Sequence, residues 1–483
     1  MQSIRRSSLS KSSRPWPRPK RVRRARAAPI ACAVCAAVLA AAHAEEARRN
    51  PAARLAALNP HLSPDDPREL PMRFRSLNAD AYTFFRGTAD LYYDWCRENA
   101  ADWLHREDAR LLLHGDVHYG NIGVYRTADS TDFVRFGVVD LDEAFEGPFE
   151  LDVLRGVASL RVAAAARRIE LDEARQTELA RRFCAAYAAA LRGNLDAATL
   201  AERHPAVRAL MNKVHDADQR TFARRYLRDG EPPRFAPVRR KKKQPVDILD
   251  PAPPATRAAL TDALREAIGS MTPASRRLLA NDRAMDVRDA ARWTRLGSSG
   301  SQGVGKYLVL TGGLLRHNAA PMLFEFKEQP RPAAERAGLI RAGPDRGRDV
   351  AAAHAALQGP PHWFVSHANL DGRSYLVRPK DPWSEEPDWQ DLRGVGDLLA
   401  AADLVGETLG HAHRHALVAS KFATHPERVA GLAEAGVDEF VRRAAAFEAH
   451  LARCFEEFRA DPAAQHLALR ANEWIARIAS PTP

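Results

Sequence analysis

The eight-residue run His114-Gly-Asp-Val-His-Tyr-Gly-Asn121 constrains this chain more than any other feature. A short apolar run, Arg110–Leu113, leads into it. Two strand-like runs follow, Ile122–Arg126 and Phe133–Leu141, and the second carries Asp140 near its end, with Asp142 and Glu143 just beyond. Asp, Asn and Gly favour turns, so either piece alone reads as a polar turn between strands. Together they put an amide and several carboxylates at adjoining strand ends. Mg2+ is a hard cation that takes oxygen ligands, keeps several waters and binds through a carboxylate or two plus substrate phosphates. Asn121 and Asp140 can supply the protein's share. Asp116, free of the metal, can accept the proton of an attacking hydroxyl. His118 either polarises this loop or hydrogen-bonds within it. Asp142 and Glu143 are candidates for a second cation or the substrate.

A second constellation lies far downstream. Leu296-Gly-Ser-Ser-Gly-Ser-Gln-Gly-Val-Gly-Lys306 holds Gly297, Gly300, Gly303 and Gly305. Glycine lets backbone N–H groups approach a phosphate closely. Gly300 to Lys306 nearly matches a P-loop, but Tyr307 stands where Ser or Thr would hold Mg2+. Tyr307–Thr311 also reads as a strand, whereas a P-loop opens a helix. A glycine loop between two strands is the protein-kinase arrangement. The next strand, Met322–Glu328, carries Lys327 where kinases place the lysine that pairs the α- and β-phosphates. Strand alternation puts Glu325 on the same face, which departs from the small apolar residue expected against adenine. The acidic partner of Lys327 is expected from the following helix, with Asp349 and Glu335 as candidates.

From 292 onward the order is strand, glycine loop, strand, lysine strand, helix, hairpin, long helices. This is the order of a kinase amino-terminal lobe, its hinge (here Pro379–Pro382) and the first large-lobe helices, yet the loop at 114–121 lies upstream of all of it. The expected fold is therefore α+β, protein-kinase-like, two-lobed and circularly permuted, which is possible where chain ends lie close together on the surface. The expected divisions are 1–44 signal peptide, 45–230 large-lobe part, 231–256 linker, 257–380 small lobe and 381–483 helical remainder of the large lobe.

His-Gly-Asp-x-His-x-x-Asn followed by a strand ending in Asp resembles the catalytic and metal-binding loops of aminoglycoside phosphotransferases and other protein-kinase-like enzymes. The resemblance implies Asp116 as catalytic base, with Asn121 and Asp140 as magnesium ligands. It also implies that Asp152, in Glu150-Leu-Asp-Val-Leu-Arg155, braces the loop opened by His114. A closer resemblance is to the bacterial domain-of-unknown-function family 2252. It is carried by Phe84-Phe-Arg-Gly-Thr-Ala-Asp-Leu-Tyr92, Gly115–Asn121, Asp140–Glu150, Leu323–Glu328 and Leu409-Gly-His-Ala-His413.

Charge excludes one class of partner. The net charge is +11, but residues 1–44 hold ten Lys/Arg and no acid, so only +1 remains for the rest. A near-neutral body does not read as a nucleic-acid binder. The basic segment, the apolar run Ala27–Ala44 and Ala42-His43-Ala44 make a signal-peptide pattern. They imply an exported, periplasmic protein, or a cytoplasmic one if the leader is a disordered tail. The apolar run is too short and Ala-rich for a stable membrane span. Residues 231–255 hold seven prolines and the basic run Arg239–Lys243 and read as a linker or long surface loop. The helix over 80–99, with its aromatic anchors, is expected behind the catalytic loop, with Arg86 either pairing a carboxylate nearby or standing as a surface or structural arginine. His411, His413 and His415 read as ordinary polar helix positions.

The leading functional expectation is an ATP- and Mg2+-dependent phosphotransferase acting on a small-molecule or protein hydroxyl. A non-catalytic nucleotide-binding module of the same fold is the alternative, favoured by the leader because exported compartments hold little ATP. A metallophosphoesterase, suggested by Asp116-Val-His118, would need further metal motifs, and none is found in the sequence.

Overall fold

The computed structural model describes residues 50–128, 134–195, 199–230, 232–242, 244–278, 287–297, 300–315, 318–360, 362–419 and 424–479. The leader expected over 1–44 lies outside them. Residues from Asn50 onward form one unit, built of helices and antiparallel sheet as the α+β expectation requires.

Among the described residues thirteen strands occur in chain order: β1 (Arg110–Leu113), β2 (Ile122–Arg126), β3 (Val134–Val138), β4 (Phe145–Pro148), β5 (Leu227–Arg228), β6 (Arg234–Phe235), β7 (Val238–Lys241), β8 (Gln244–Pro251), β9 (Val287–Arg295), β10 (Lys306–Leu315), β11 (Asn318–Glu328), β12 (Ser366–Leu370) and β13 (Arg373–Lys380). Seven of them form one antiparallel sheet in the order β12-β13-β11-β10-β9-β8-β7. Alternation along these strands sorts the side chains by face. Val309, Phe324, Phe326 and Val377 pack with Trp363, Phe364 and the helix Pro254–Gly269. Lys306, Glu325, Lys327 and Arg378 take the opposite face and line a cleft.

The helical part is organised around Glu150–Arg167, which is buried along nearly its whole length. An all-round buried helix must sit inside a bundle. Its neighbours are Glu173–Arg192, Val395–Ala419 and Val437–Ala460, joined in one continuous core. Asp172 caps the second by accepting from the Arg175 N–H, satisfying a donor the first turn cannot pair internally.

Several elements differ from the sequence reading. The stretch expected as a linker supplies β6, β7 and β8, the last two as the outer hairpin of the large sheet. Pro245 lies opposite Arg240 of β7, beside the register shift between Arg239 and Arg240 and before β8 begins pairing with β9 at Asp247, and such irregular edges accept proline. The helix expected over 80–99 is two helices, Ala81–Gly87 and Ala89–Asn99. They divide at Thr88, whose hydroxyl donates back to the Phe84 carbonyl at 2.7 Å. Of the long helices expected after the hairpin, the region 426–460 divides likewise into Pro426–Ala435 and Val437–Ala460. The expected hairpin is β12–β13, and Trp363 and Phe364 are core residues just before it.

Candidate active site

The loop after β1 is shaped from behind. Asp152 is fully buried in the first turn of Glu150–Arg167. Its Oδ2 accepts from the His114 N–H at 2.7 Å and its Oδ1 from the Gly115 N–H at 3.0 Å. His413 Nε2 lies 3.0 Å from Asp152 Oδ2, and Tyr187 Oη lies 2.8 Å from His413 Nδ1. Gly115 has φ +82, and a Cβ there would stand 2.1 Å from the Glu143 carbonyl oxygen, so only glycine fits. His114 Nδ1 accepts from the Asp116 N–H at 3.1 Å, leaving Nε2 as the donor to the Val139 carbonyl at 3.0 Å. The Val139 N–H donates to the Asn121 carbonyl. Loop and Asp140 strand are thus stitched together. Tyr93, on Ala89–Asn99, donates to the Gly115 carbonyl at 2.6 Å, so the aromatic helices do stand behind the loop.

Asp116 is paired with Arg155, whose Nε lies 2.6 Å from Oδ1 and whose Nη2 contacts the same oxygen. Arg155 is fully buried and stacks over Phe85 and Tyr92. The expectation that Arg86 pairs a carboxylate is therefore corrected: Arg155, one turn into the buried helix, takes that place. His118 Nδ1 accepts from the Gly120 N–H at 3.1 Å, and its Nε2 stands 3.8 Å from Asp116 Oδ2. Burial, then the Arg86 and Arg155 charges, push the imidazole well below its ordinary range, so it is neutral. Asn121 donates its amide to the Asp116 carbonyl at 3.0 Å, and its Oδ1 makes no hydrogen bond among the described residues.

The two constellations meet. Lys327 Nζ donates to Asp140 Oδ1 at 2.8 Å, across 187 positions of sequence, and also pairs with Asp142. The acid from the following helix, expected at Asp349 or Glu335, is not the partner. Asp349 pairs with Arg346 at 3.7 Å and Glu335 with Arg331 at 3.7 Å. That helix, Arg346–Leu357, instead sends Arg346 to the Asp142 carbonyl at 3.0 Å, fixing the aspartate loop through its backbone. Lys327 holds Asp140 well below the usual carboxylate range. Burial and the charge on Asp140 leave Asp142 raised. Asp140 has φ +59, unusual outside glycine, and such strain gathers at functional sites.

The glycine loop closes the cleft from above. Gly303 (φ +79) packs on Leu62, and Arg73 donates to the Gly300 carbonyl at 3.0 Å. Gly305 N–H donates to Glu328 at 3.0 Å. Asp116, Asn121, Asp140, Gly297, Gly300 and Lys327 all line one cavity of about 310 Å³. A second cavity of about 330 Å³ adjoins it. Pro379, Lys380 and Asp381, expected as a hinge, line it with Val124, Tyr125 and Val139. Glu325 and Arg378 border both. They pair at 3.0 Å. Burial opposes ionisation of Glu325, yet Arg378 and the flanking lysines hold its carboxyl down at about 2. Burial and the Lys327 charge push Lys306 down to about 7.

Sequence reasoning missed Arg155, Arg346 and His413. The only signal for His413 was its place in Leu409–His413. Among the described residues, no group of three or more His, Cys, Asp or Glu is placed to hold a metal ion, and no helix is long and apolar enough to cross a membrane. Cys96, Cys184 and Cys454 are buried free thiols.

Residues 65–470 match the family described as "Uncharacterized protein conserved in bacteria (DUF2252)". The chain belongs to that family. No curated protein and no solved structure matches it.

Proposed function

We propose that the chain is a kinase-like phosphotransferase that moves the γ-phosphate of ATP to a hydroxyl of a small-molecule or protein acceptor. The observation that carries this reading is the 2.8 Å contact of Lys327 with Asp140 inside the cleft that also holds Asn121, Asp116 and the glycine loop. Strand order supports it as well: β9, glycine loop, β10, β11 with Lys327, helix, then the β12–β13 hairpin ending at the hinge. With the catalytic loop upstream of this lobe, the reading requires a circular permutation of the kinase order.

The donor set fits Mg2+. Two carboxylates, Asp140 and Asp142, face the single ammonium of Lys327, which leaves one surplus negative charge beside the Asn121 amide oxygen, and all these donors are oxygen. Asn121, Asp140 and Asp142 would hold Mg2+ there, and the ion would supply positive charge to offset that of the phosphates. Lys327 then turns from the aspartates to the α- and β-phosphates. Asp116, its Oδ1 anchored by Arg155, offers Oδ2 to the acceptor hydroxyl and takes the proton. The hinge cavity takes the base beneath the Glu325–Arg378 pair.

A second reading, an exported nucleotide-binding module without turnover, is favoured by one observation. Arg155 places two donors on Asp116 Oδ1, so that oxygen is already engaged within the fold rather than free to meet an acceptor hydroxyl.

Mg-ATP is expected to raise the melting temperature by a few degrees, since ligand at about 100-fold above Kd stabilises by roughly 2.7 kcal/mol. Asp140→Asn and Lys327→Ala each abolish that shift. Asp116→Asn keeps it but loses phosphate transfer. Transfer that survives in Asp116→Asn overturns the base assignment, and a wild type that binds without transferring selects the second reading.

A further inference from the structure

Most cations of the cleft are already engaged. Lys327 holds Asp140 and Asp142, Arg155 holds Asp116, and Arg378 holds Glu325. Arg336 pairs with Asp90 at 2.6 Å and faces Glu143 at 3.6 Å. Arg73 donates to the Gly300 and Gly87 carbonyls. Arg86 is different. It lines the same cavity, yet among the described residues its guanidinium makes no hydrogen bond or ion pair, and its Nε is buried without a partner.

Its location is specific. The guanidinium lies against Gly120 of the catalytic loop, where a Cβ would stand 3.4 Å from both Cζ and Nη2. The same Cβ would be 3.5 Å from His118 Cε1. On the other side, a Cβ at Gly300, in the middle of the glycine loop, would stand 3.8 Å from the Arg86 carbonyl oxygen. Arg86 thus has its backbone against the glycine loop and its guanidinium against the loop bearing Asp116, inside the cavity that both loops line.

We propose that Arg86 is a catalytic arginine that contacts the phosphoryl group during transfer. The proposal rests on the phosphotransferase reading above. A guanidinium stays charged at any working pH and offers planar paired donors that match phosphate oxygens. In the step, the bond from the γ-phosphorus to its bridging oxygen breaks, and the electron pair stays on the β-phosphate of ADP. A new bond forms from phosphorus to the acceptor oxygen, and the acceptor's proton passes to Asp116. Arg86 keeps its protons and holds the oxygens around phosphorus as their charge spreads. In comparable phosphoryl transfers such an arginine is worth about 10³-fold or more in turnover.

The test uses Mg-ADP with aluminium fluoride, a mimic of the phosphoryl group in flight, read by thermal shift on the full chain. In the wild type, Mg-ADP raises the melting temperature and fluoroaluminate adds a further rise. Arg86→Gln keeps the Mg-ADP rise and loses the further one. Arg86→Lys, which keeps the charge without the paired donors, weakens fluoroaluminate binding at least about tenfold and serves if Arg86→Gln folds poorly. A full fluoroaluminate rise in both variants overturns the proposal, as does a wild type that answers Mg-ADP but not fluoroaluminate. If the wild type does not answer Mg-ADP, the phosphotransferase reading fails separately, and inorganic phosphate alone then judges Arg86. A phosphate-dependent rise lost in Arg86→Gln upholds an anion site there, and no rise ends it.

Discussion

The loop His114–Asn121 has two sides built on opposite rules. Behind it, Asp152 is fully buried with both oxygens filled, and His413, Tyr187, His114 and Gly115 close a network in which the polar groups find partners. In front, Asp140 keeps 44% of its side chain exposed on a left-handed backbone, two carboxylates share one lysine, and Arg86 has a buried Nε with no partner. A satisfied buried network fixes shape, whereas an incompletely satisfied one is expensive unless something else completes it. The rear side therefore reads as the scaffold and the front as the place where a ligand finishes the pairing.

The contrast breaks or sharpens under substitution. Asp152→Ala is expected to cost about 3–5 kcal/mol by urea unfolding, because it strands the His114 and Gly115 N–H groups and His413 in the interior. Asp140→Ala costs less than about 1 kcal/mol in the same assay, as expected for a partly exposed pair; the reverse ranking would undo the distinction. Gly115→Ala follows at about 2–3 kcal/mol, since the new methyl meets a backbone carbonyl at a positive φ.

Glu407, on the same helix as His413, anchors a separate cluster with Arg203, His204 and His411. Burial alone would raise its carboxyl, but hydrogen bonds from His204, His411 and Arg203 outweigh it and hold the group well below the ordinary 4.5. A depressed folded value stabilises above the unfolded one and is lost as pH falls through the folded one. Glu407→Gln should therefore cost about 2 kcal/mol at pH 7, and the gap from wild type should close progressively below pH 4.5. A gap that does not change with pH would remove the carboxylate's charge from the account. Smallest is Gly303→Ala, about 1 kcal/mol, because its methyl meets only the movable end of Leu62. Its larger effect is expected on the Mg-ATP shift, since it lifts the glycine loop.

The front was more legible in the sequence than the rear. Asp116, Asn121 and Asp140 announce themselves through residue type and spacing, and Lys327 through strand order. Their convergence in one cavity follows that reading. Arg155 was not legible, because an arginine in an Ala/Leu/Arg-rich helix reads as solvent-facing, and only the bundle around Glu150–Arg167 buries it. His413 looked like one of three alternating histidines until tertiary packing set it against Asp152. The partner of Lys327 was sought on the next helix by local order, but the aspartates reach it first from the other lobe. Residues 234–251 were obscured by proline and lysine, which mark loops locally but are accepted at the outer, late-pairing end of a sheet.

The most direct measurement is a crystal structure of the protein with Mg2+ and a non-hydrolysable ATP analogue. The account predicts the polyphosphate between Gly297–Gly305 and Asn121/Asp140, the base against Pro379–Asp381, and the Lys327 amine moved from Asp140 to the α- and β-phosphates. An analogue bound elsewhere, with the Lys327–Asp140 pair intact and the cleft free of it, would contradict it.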